Sequence, residues 1–128
     1  MASRFTELAI DCADPGGLAR FWCAVLGYEV RGEDDGVVTI GAPEVPEGRR
    51  RPGPVPPELT FAPVPEGKTV KNRLHIDLNP TDREQGEEVR RLLDLGARYA
   101  DVGQGDESWV VLADPEGNEF CVLAGRHP

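Results

Sequence analysis

This chain states one pattern twice. Leu8-Ala9-Ile10-Asp11, an aspartate at Asp14, an amphipathic stretch and Leu26-Gly27 are answered by Leu74-His75-Ile76-Asp77, Asp82, a second amphipathic stretch and Leu95-Gly96. Each copy reads as a strand, a helix and then further strands, and neither is long enough to bury its own apolar face. Paired copies can share a core and leave a ligand-sized cleft.

The local signals give the order of elements. Asp14 is placed to cap a helix, Pro15 suits its first position, and Leu18, Phe21, Trp22, Val25 and Leu26 form one stripe that Gly27 closes. A second helix is predicted from about Asp82 to Leu95, with a narrower stripe of Val89, Leu92 and Leu93, joined at its edge by Gln85. Glu87-Arg91 and Glu84-Glu88 fall on its wetter faces, and Gly96 stops it. It should be the more exposed helix of the two. Strand-like runs lie near residues 5–12, 28–32, 36–41 and 58–63, then near 73–79, 97–102, 108–113 and 119–124, which gives β-α-β-β-β in each half. Asp114-Pro115-Glu116-Gly117-Asn118 should join the last two strands as a tight hairpin.

The expected organisation is one domain over residues 1–128, with module one at 5–64 and module two at 73–124. Eight of the twelve prolines fall within residues 43–65, so 43–57 reads as a stiff loop inside module one, placed over the cleft mouth. A formal charge of −9 opposes general binding to nucleic acid or to an anionic membrane surface. The start Met1-Ala2-Ser3-Arg4 lacks an apolar targeting run, so a cytoplasmic protein is expected. Cys12, Cys23 and Cys121 are odd in number and lack C-x-x-C spacing, which argues against a disulfide framework or a zinc knuckle.

Taken together, Ile10-Asp11-Cys12-Ala13-Asp14-Pro15, Leu18-Ala19-Arg20-Phe21-Trp22, Lys71-Asn72-Arg73-Leu74-His75-Ile76-Asp77 and Asp114-Pro115-Glu116-Gly117-Asn118-Glu119-Phe120 resemble the vicinal oxygen chelate superfamily. This is the glyoxalase/bleomycin-resistance/dioxygenase group, and the match is nearest its glyoxalase-like branch. The resemblance implies an α+β fold: two tandem β-α-β-β-β modules forming a half-open curled mixed sheet with a concave cleft. It also implies a site where, in metal-dependent members, His, Gln or Glu hold one divalent ion (Zn, Ni, Mn or Fe) against a carbonyl or enediolate oxygen.

Carried over residue by residue, His75 occupies the first-strand ligand position of the second module, seven residues before Asp82. Glu7 lies seven before Asp14, whereas aligning the Leu-x-Ile-Asp motifs puts Ala9, which binds no metal, in that place. The closing carboxylate of the family falls on Cys121, and Glu119 shares its face about two strand residues, roughly 7 Å, nearer the rim. The implied metal set is therefore His75, Glu7 and Glu119, with Glu119 or Glu7 alternatively a general base for a proton alpha to a carbonyl. Strand alternation places His75 and Asp77 on one face and Leu74, Ile76 and Leu78 on the other. His75, Asp77, Glu7, Asp11 and Cys121 are expected on the concave side. Lys71 and Arg73 are candidates for holding a carboxylate or phosphate, as are Lys68 and the loop triplet Arg49-Arg50-Arg51. Phe61 and Trp109 are candidate stacking walls, although core packing is the default for either ring.

Two functions follow from the resemblance. One is a glyoxalase-like lyase or isomerase acting on a small carbonyl-containing or aromatic metabolite. The other is a metal-free protein that sequesters a drug or metabolite, as bleomycin-resistance members do; Cys121 and the Ala9 register favour it. An iron dioxygenase is disfavoured, because His75 and His127 are the only histidines. The partner is a small molecule, and a homodimer is among the arrangements the resemblance allows.

Overall fold

The computed structural model describes residues 2–43 and 56–128, so the arginine triplet and most of the proline-rich loop lie outside the described residues. The chain divides into two compact units, Met1–Gly67 and Lys68–Pro128. Each carries one helix and one four-stranded mixed sheet, and the architecture is α+β. Among the described residues no helix is long and apolar enough to cross a membrane.

In the first unit, β1 (Glu7–Cys12) leads into α1 (Pro15–Leu26), followed by β2 (Glu29–Asp34), β3 (Val37–Gly41) and β4 (Glu58–Pro63). The sheet order is β1-β4-β3-β2, with β1 parallel to β4 and the other pairs antiparallel. Asp14 caps α1 as its position suggests: its side chain accepts a hydrogen bond from the Gly17 N–H at 3.2 Å. The cap also dictates the glycine, since a Cβ at Gly17 would stand 2.3 Å from Asp14 Oδ2. Gly27 closes the helix at φ 69°, a left-handed conformation that only glycine adopts without strain. Leu18, Ala19, Phe21 and Trp22 are buried on α1, which lies on β3 and β4, where Val38, Ile40, Leu59 and Phe61 are buried. The rings of Phe21 and Trp22 meet edge to face at 5.2 Å. The β2–β3 hairpin turns through Asp35 and Gly36 at φ 52° and 80°, so β2 runs two residues past its expected end. All of β2 is exposed, and the charges of Glu29, Arg31, Glu33 and Asp34 protect this edge from pairing with other chains.

The second unit repeats the topology with less regular structure. It contains β5 (Asp77–Leu78), α2 (Gln85–Leu95), β6 (Arg98–Tyr99), β7 (Val110–Ala113) and β8 (Glu119–Val122), in the sheet order β5-β8-β7-β6. Again the first strand is parallel to the last. The helix starts later than Asp82 suggests, because Asp82 turns to Arg83, whose Nε lies 3.0 Å from its carboxylate, and no side chain caps Gln85. Gln85 instead fastens the helix start to the sheet, donating to the carbonyls of Ser108 at 2.8 Å and Val122 at 2.9 Å. Only Val89 and Leu92 are buried on α2, against four residues on α1, so it is the more exposed helix. Its ion pair joins Arg91 to Glu88 at 2.7 Å, one residue on from the expected Glu87.

The hairpin between β7 and β8 forms where expected, and its cause is Asp114. This fully buried carboxylate accepts from the backbone N–H of Glu116 and of Asn118, each at 2.9 Å, and from the Asn118 amide. It substitutes for backbone partners that a tight turn cannot supply. The strand expected over 73–79 shrinks to Asp77–Leu78, and Leu74, expected on the face opposite His75, is 84% exposed. Before Asp77 the Ile76 carbonyl still accepts from the Cys121 N–H at 2.9 Å, and further back the Asn72 N–H donates to the Glu119 side chain.

Candidate functional site

Register builds the site. Asp77 pairs with Cys121 across β5 and β8, and Cys121 with Val111 across β8 and β7, so the three side chains form a row on one face. Period-two alternation adds His75 before Asp77, Trp109 before Val111, and Glu119 and Leu123 on either side of Cys121. These residues line a cavity of about 360 Å³ within the second unit. The residues between them, Leu112, Phe120 and Val122, point the other way and are completely or almost completely buried. The face expected to be shared by His75, Asp77 and Cys121 is thus the observed one, with Phe120 and Val122 on the other side.

The lining includes the apolar Trp109, Val111 and Leu123, with Trp109 partly exposed, and the polar His75, Asp77, Cys121 and Lys71. A loop adds to it. Val102, Gly103 and Gln104 were not legible as site residues, although Gly103-Gln104-Gly105 is itself a turn signal. The loop is tied internally, with the Gly103 N–H donating to Asp101 at 2.8 Å and the Val102 N–H to the Gln104 side chain at 2.9 Å.

His75, Asp77 and Cys121 bring one donor atom each to within 4.8 Å of one another. His75 Nδ1 lies 3.0 Å from Asp77 Oδ1 and 3.9 Å from Cys121 Sγ. The same imidazole nitrogen faces both neighbours, so the trio is not a nucleophilic relay, in which the base uses one nitrogen for the thiol and the other for the carboxylate. Burial pushes the Cys121 thiol up, and the charge of Asp77 and a hydrogen bond with it add to this, against a smaller opposing effect of Lys71. A thiol held in its protonated form is a poor nucleophile.

Glu119 does something other than what its position suggests. Its carboxylate, 14% exposed, receives the Lys68 ammonium at 3.0 Å on one oxygen and the Asn72 N–H at 2.9 Å on the other. Burial works to raise its pKa, but these two bonds, with its own backbone N–H and the charge of Lys68, outweigh it and hold the carboxyl below its ordinary value. Both oxygens are engaged and the group is a weak base. It is a clamp that fixes residues 68–72 beside the sheet, and this anchors the segment that carries His75.

Of the remaining candidates one lines the cavity: Lys71, which also donates to the Asn72 carbonyl at 3.1 Å, whereas the nearby Arg73 is exposed and contributes nothing to the lining. Glu7 and Asp11 stand exposed on β1 of the first unit, alternating with half-buried Leu8 and Ile10. Phe61 is not a stacking wall: it is fully buried in the first unit's sheet between Ile10 and Val38, the default for such a ring.

The donor set suits a divalent ion. Imidazole, carboxylate and thiol are all metal ligands, and around a four-coordinate ion with bonds of about 2.0–2.3 Å the donors stand roughly 3.3–3.8 Å apart. The 3.0 Å and 3.9 Å separations lie on either side of that range. Glu119 is not part of this set.

A glyoxalase-like domain model matches residues 7–123, spanning both units. No curated protein sequence matches the chain. Among solved structures it resembles a glyoxalase/bleomycin resistance protein/dioxygenase family enzyme from Burkholderia phytofirmans PsJN, with a TM-score of 0.67 and 14% identity over 94% of this chain and 97% of that one. It also resembles the fosfomycin resistance protein FosX of Listeria monocytogenes complexed with Mn(II) and sulfate, with a TM-score of 0.68 and 15% identity over 98% and 92% of the two chains. A mutant of the same FosX was solved with Mn(II) and 1S,2S-dihydroxypropylphosphonic acid (TM-score 0.66, 13% identity, 98% and 91% covered). These likenesses concern the fold.

Proposed function

The chain belongs to the glyoxalase-like family, and from that premise we propose that its second unit binds a small carbonyl-containing or aromatic metabolite, with one divalent ion held at His75 and Asp77 beside Cys121. The observation that carries this reading is one cavity lined both by apolar side chains around Trp109 and by that polar trio. Its volume of about 360 Å³ falls at the small end of ligand sites, which suits a metabolite of few rings. FosX, with the same fold, holds Mn(II) together with a small ligand. Bound here, an ion supplies Lewis acidity that polarises a carbonyl oxygen.

The chain's own residues divide the remaining work. Trp109 offers a face for a planar group, and Lys71 an ammonium for a carboxylate or oxyanion. Lys68 and Asn72 draw off Glu119, which leaves that carboxylate a poor base for proton transfer.

One observation favours the second reading, metal-free capture of a drug or metabolite: the Cys121 thiol stands where the family carries a carboxylate, and its surroundings keep it protonated. Calorimetric titration of aromatic and α-keto compounds into protein stripped with EDTA, and into protein reloaded with Mn(II) or Zn(II), separates the two. Binding that requires the ion supports the metal-assisted site, and equal binding without it supports the capture protein. Absence of binding under both conditions, with Trp109 fluorescence unmoved, overturns the cavity assignment. Light scattering on the same sample reports whether the chain is a homodimer.

A further inference from the structure

We infer that Cys121 is itself a metal ligand, and that the site therefore selects a thiophilic divalent ion, zinc or cobalt, over manganese. The inference rests on the metal-assisted reading above and specifies its ion. Three observations carry it. Cys121 Sγ lies 3.9 Å from His75 Nδ1 on the cavity face, beside the carboxylate that pairs with it across the sheet. The nearest alternative hard ligand on that strand, Glu119, has both oxygens engaged by Lys68 and Asn72. The resulting donors are one nitrogen, one oxygen and one sulfur, whereas manganese and magnesium are best served by carboxylate, carbonyl and water.

Coordination breaks the S–H bond, forms a sulfur–metal bond and passes one proton per ion to the buffer. The sulfur contributes a soft bond that an oxygen ligand cannot, so replacing it alters the ranking of ions and not merely the overall affinity. His75 and Asp77 are half-exposed, which leaves open positions for water or substrate at an ion they hold.

The test is optical. Protein stripped with EDTA is titrated with Co(II) at neutral pH, and a near-ultraviolet thiolate-to-cobalt charge-transfer band is expected at one equivalent. The band should vanish in Cys121→Ser and persist in Cys23→Ser, a thiol on α1 of the first unit. Zn(II) affinity should fall in Cys121→Ser by at least the ~10–100-fold that loss of a supporting hydrogen bond costs a metal site. Cys121→Asp should narrow the ratio of Zn(II) to Mn(II) affinity. In case a variant fails to fold, the unmodified protein provides a second measurement: Zn(II), but not Mn(II), should protect Cys121 from alkylation as read by mass spectrometry. Cobalt binding without the band, or a band that survives Cys121→Ser, overturns the inference and leaves the metal site standing. No uptake of any ion overturns both, while the titrations with stripped protein still report separately on the cavity.

Discussion

The two units share a strand order, yet the first closes its sheet with strands of five or six residues and a capped helix, while the second makes do with strands of two to four and an uncapped one. Long ladders and the Phe21–Trp22 pair leave the first unit with side chains devoted to packing. In the second, single side chains replace the missing ladder: Glu119 holds residues 68–72, Gln85 holds α2, and Asp114 holds the hairpin. Side chains committed to a cavity face cannot also fill a core, so the less regular copy carries the candidate chemistry. Shortened structure and accessible donors go together, as expected where a site is drawn from the less protected parts of a fold.

Trp22→Ala should test this contrast most severely, lowering stability by about 3–5 kcal/mol in urea unfolding through the lost apolar contacts and the cavity left behind. If Leu92→Ala on α2 proves costlier than this, the first unit is not the better-packed one. Asp114→Ala should cost about 2–3 kcal/mol, because it orphans the N–H groups of Glu116 and Asn118 in a buried turn. A near-zero effect would show that the hairpin stands without its carboxylate. The helix starts offer a matched pair. Asp14→Ala should cost about 1 kcal/mol as a lost cap. Asp82→Ala should leave the unfolding midpoint essentially unchanged, since Asp82 caps nothing. Equal values would erase the difference between the two helix starts.

The smallest effect is one of pH. Glu119 has its carboxyl held below the ordinary value of 4.5, so its contribution to stability is fully present above that pH and is lost as pH falls through the lower folded value. Glu119→Gln should flatten that part of the acid limb, as measured by thermal unfolding between neutral pH and acid, and leave the neutral-pH difference in place. An unchanged acid limb would mean the clamp to Lys68 and Asn72 adds nothing to folding.

Much of this was legible in the chain. Asp14, Pro15 and Gly27 announce α1 because capping and termination are settled within one turn of helix, and Asp114-Pro115-Glu116-Gly117-Asn118 announces its hairpin for the same reason. Asp82 misleads because the side chain that would cap a helix has an arginine next to it. Phe61 was ambiguous because an aromatic on a strand reads alike whether it faces a ligand or a core. Val102, Gly103 and Gln104 escaped notice because a loop's approach to a cavity leaves no periodicity behind.

The sequence by itself determined the duplicated order of strands and helix and the face shared by His75, Asp77 and Cys121, since alternation, caps and turns are written over a few neighbouring residues. Which carboxylate stays available to an ion was decided only by the tertiary structure. Cys121 and His75 are 46 residues apart, Glu119 and Asn72 47, and both contacts are set by the register of β8 against the segment leading into β5. That register brings Asp77 beside the thiol and puts Glu119 within reach of Lys68, an outcome of long-range pairing that no local pattern encodes.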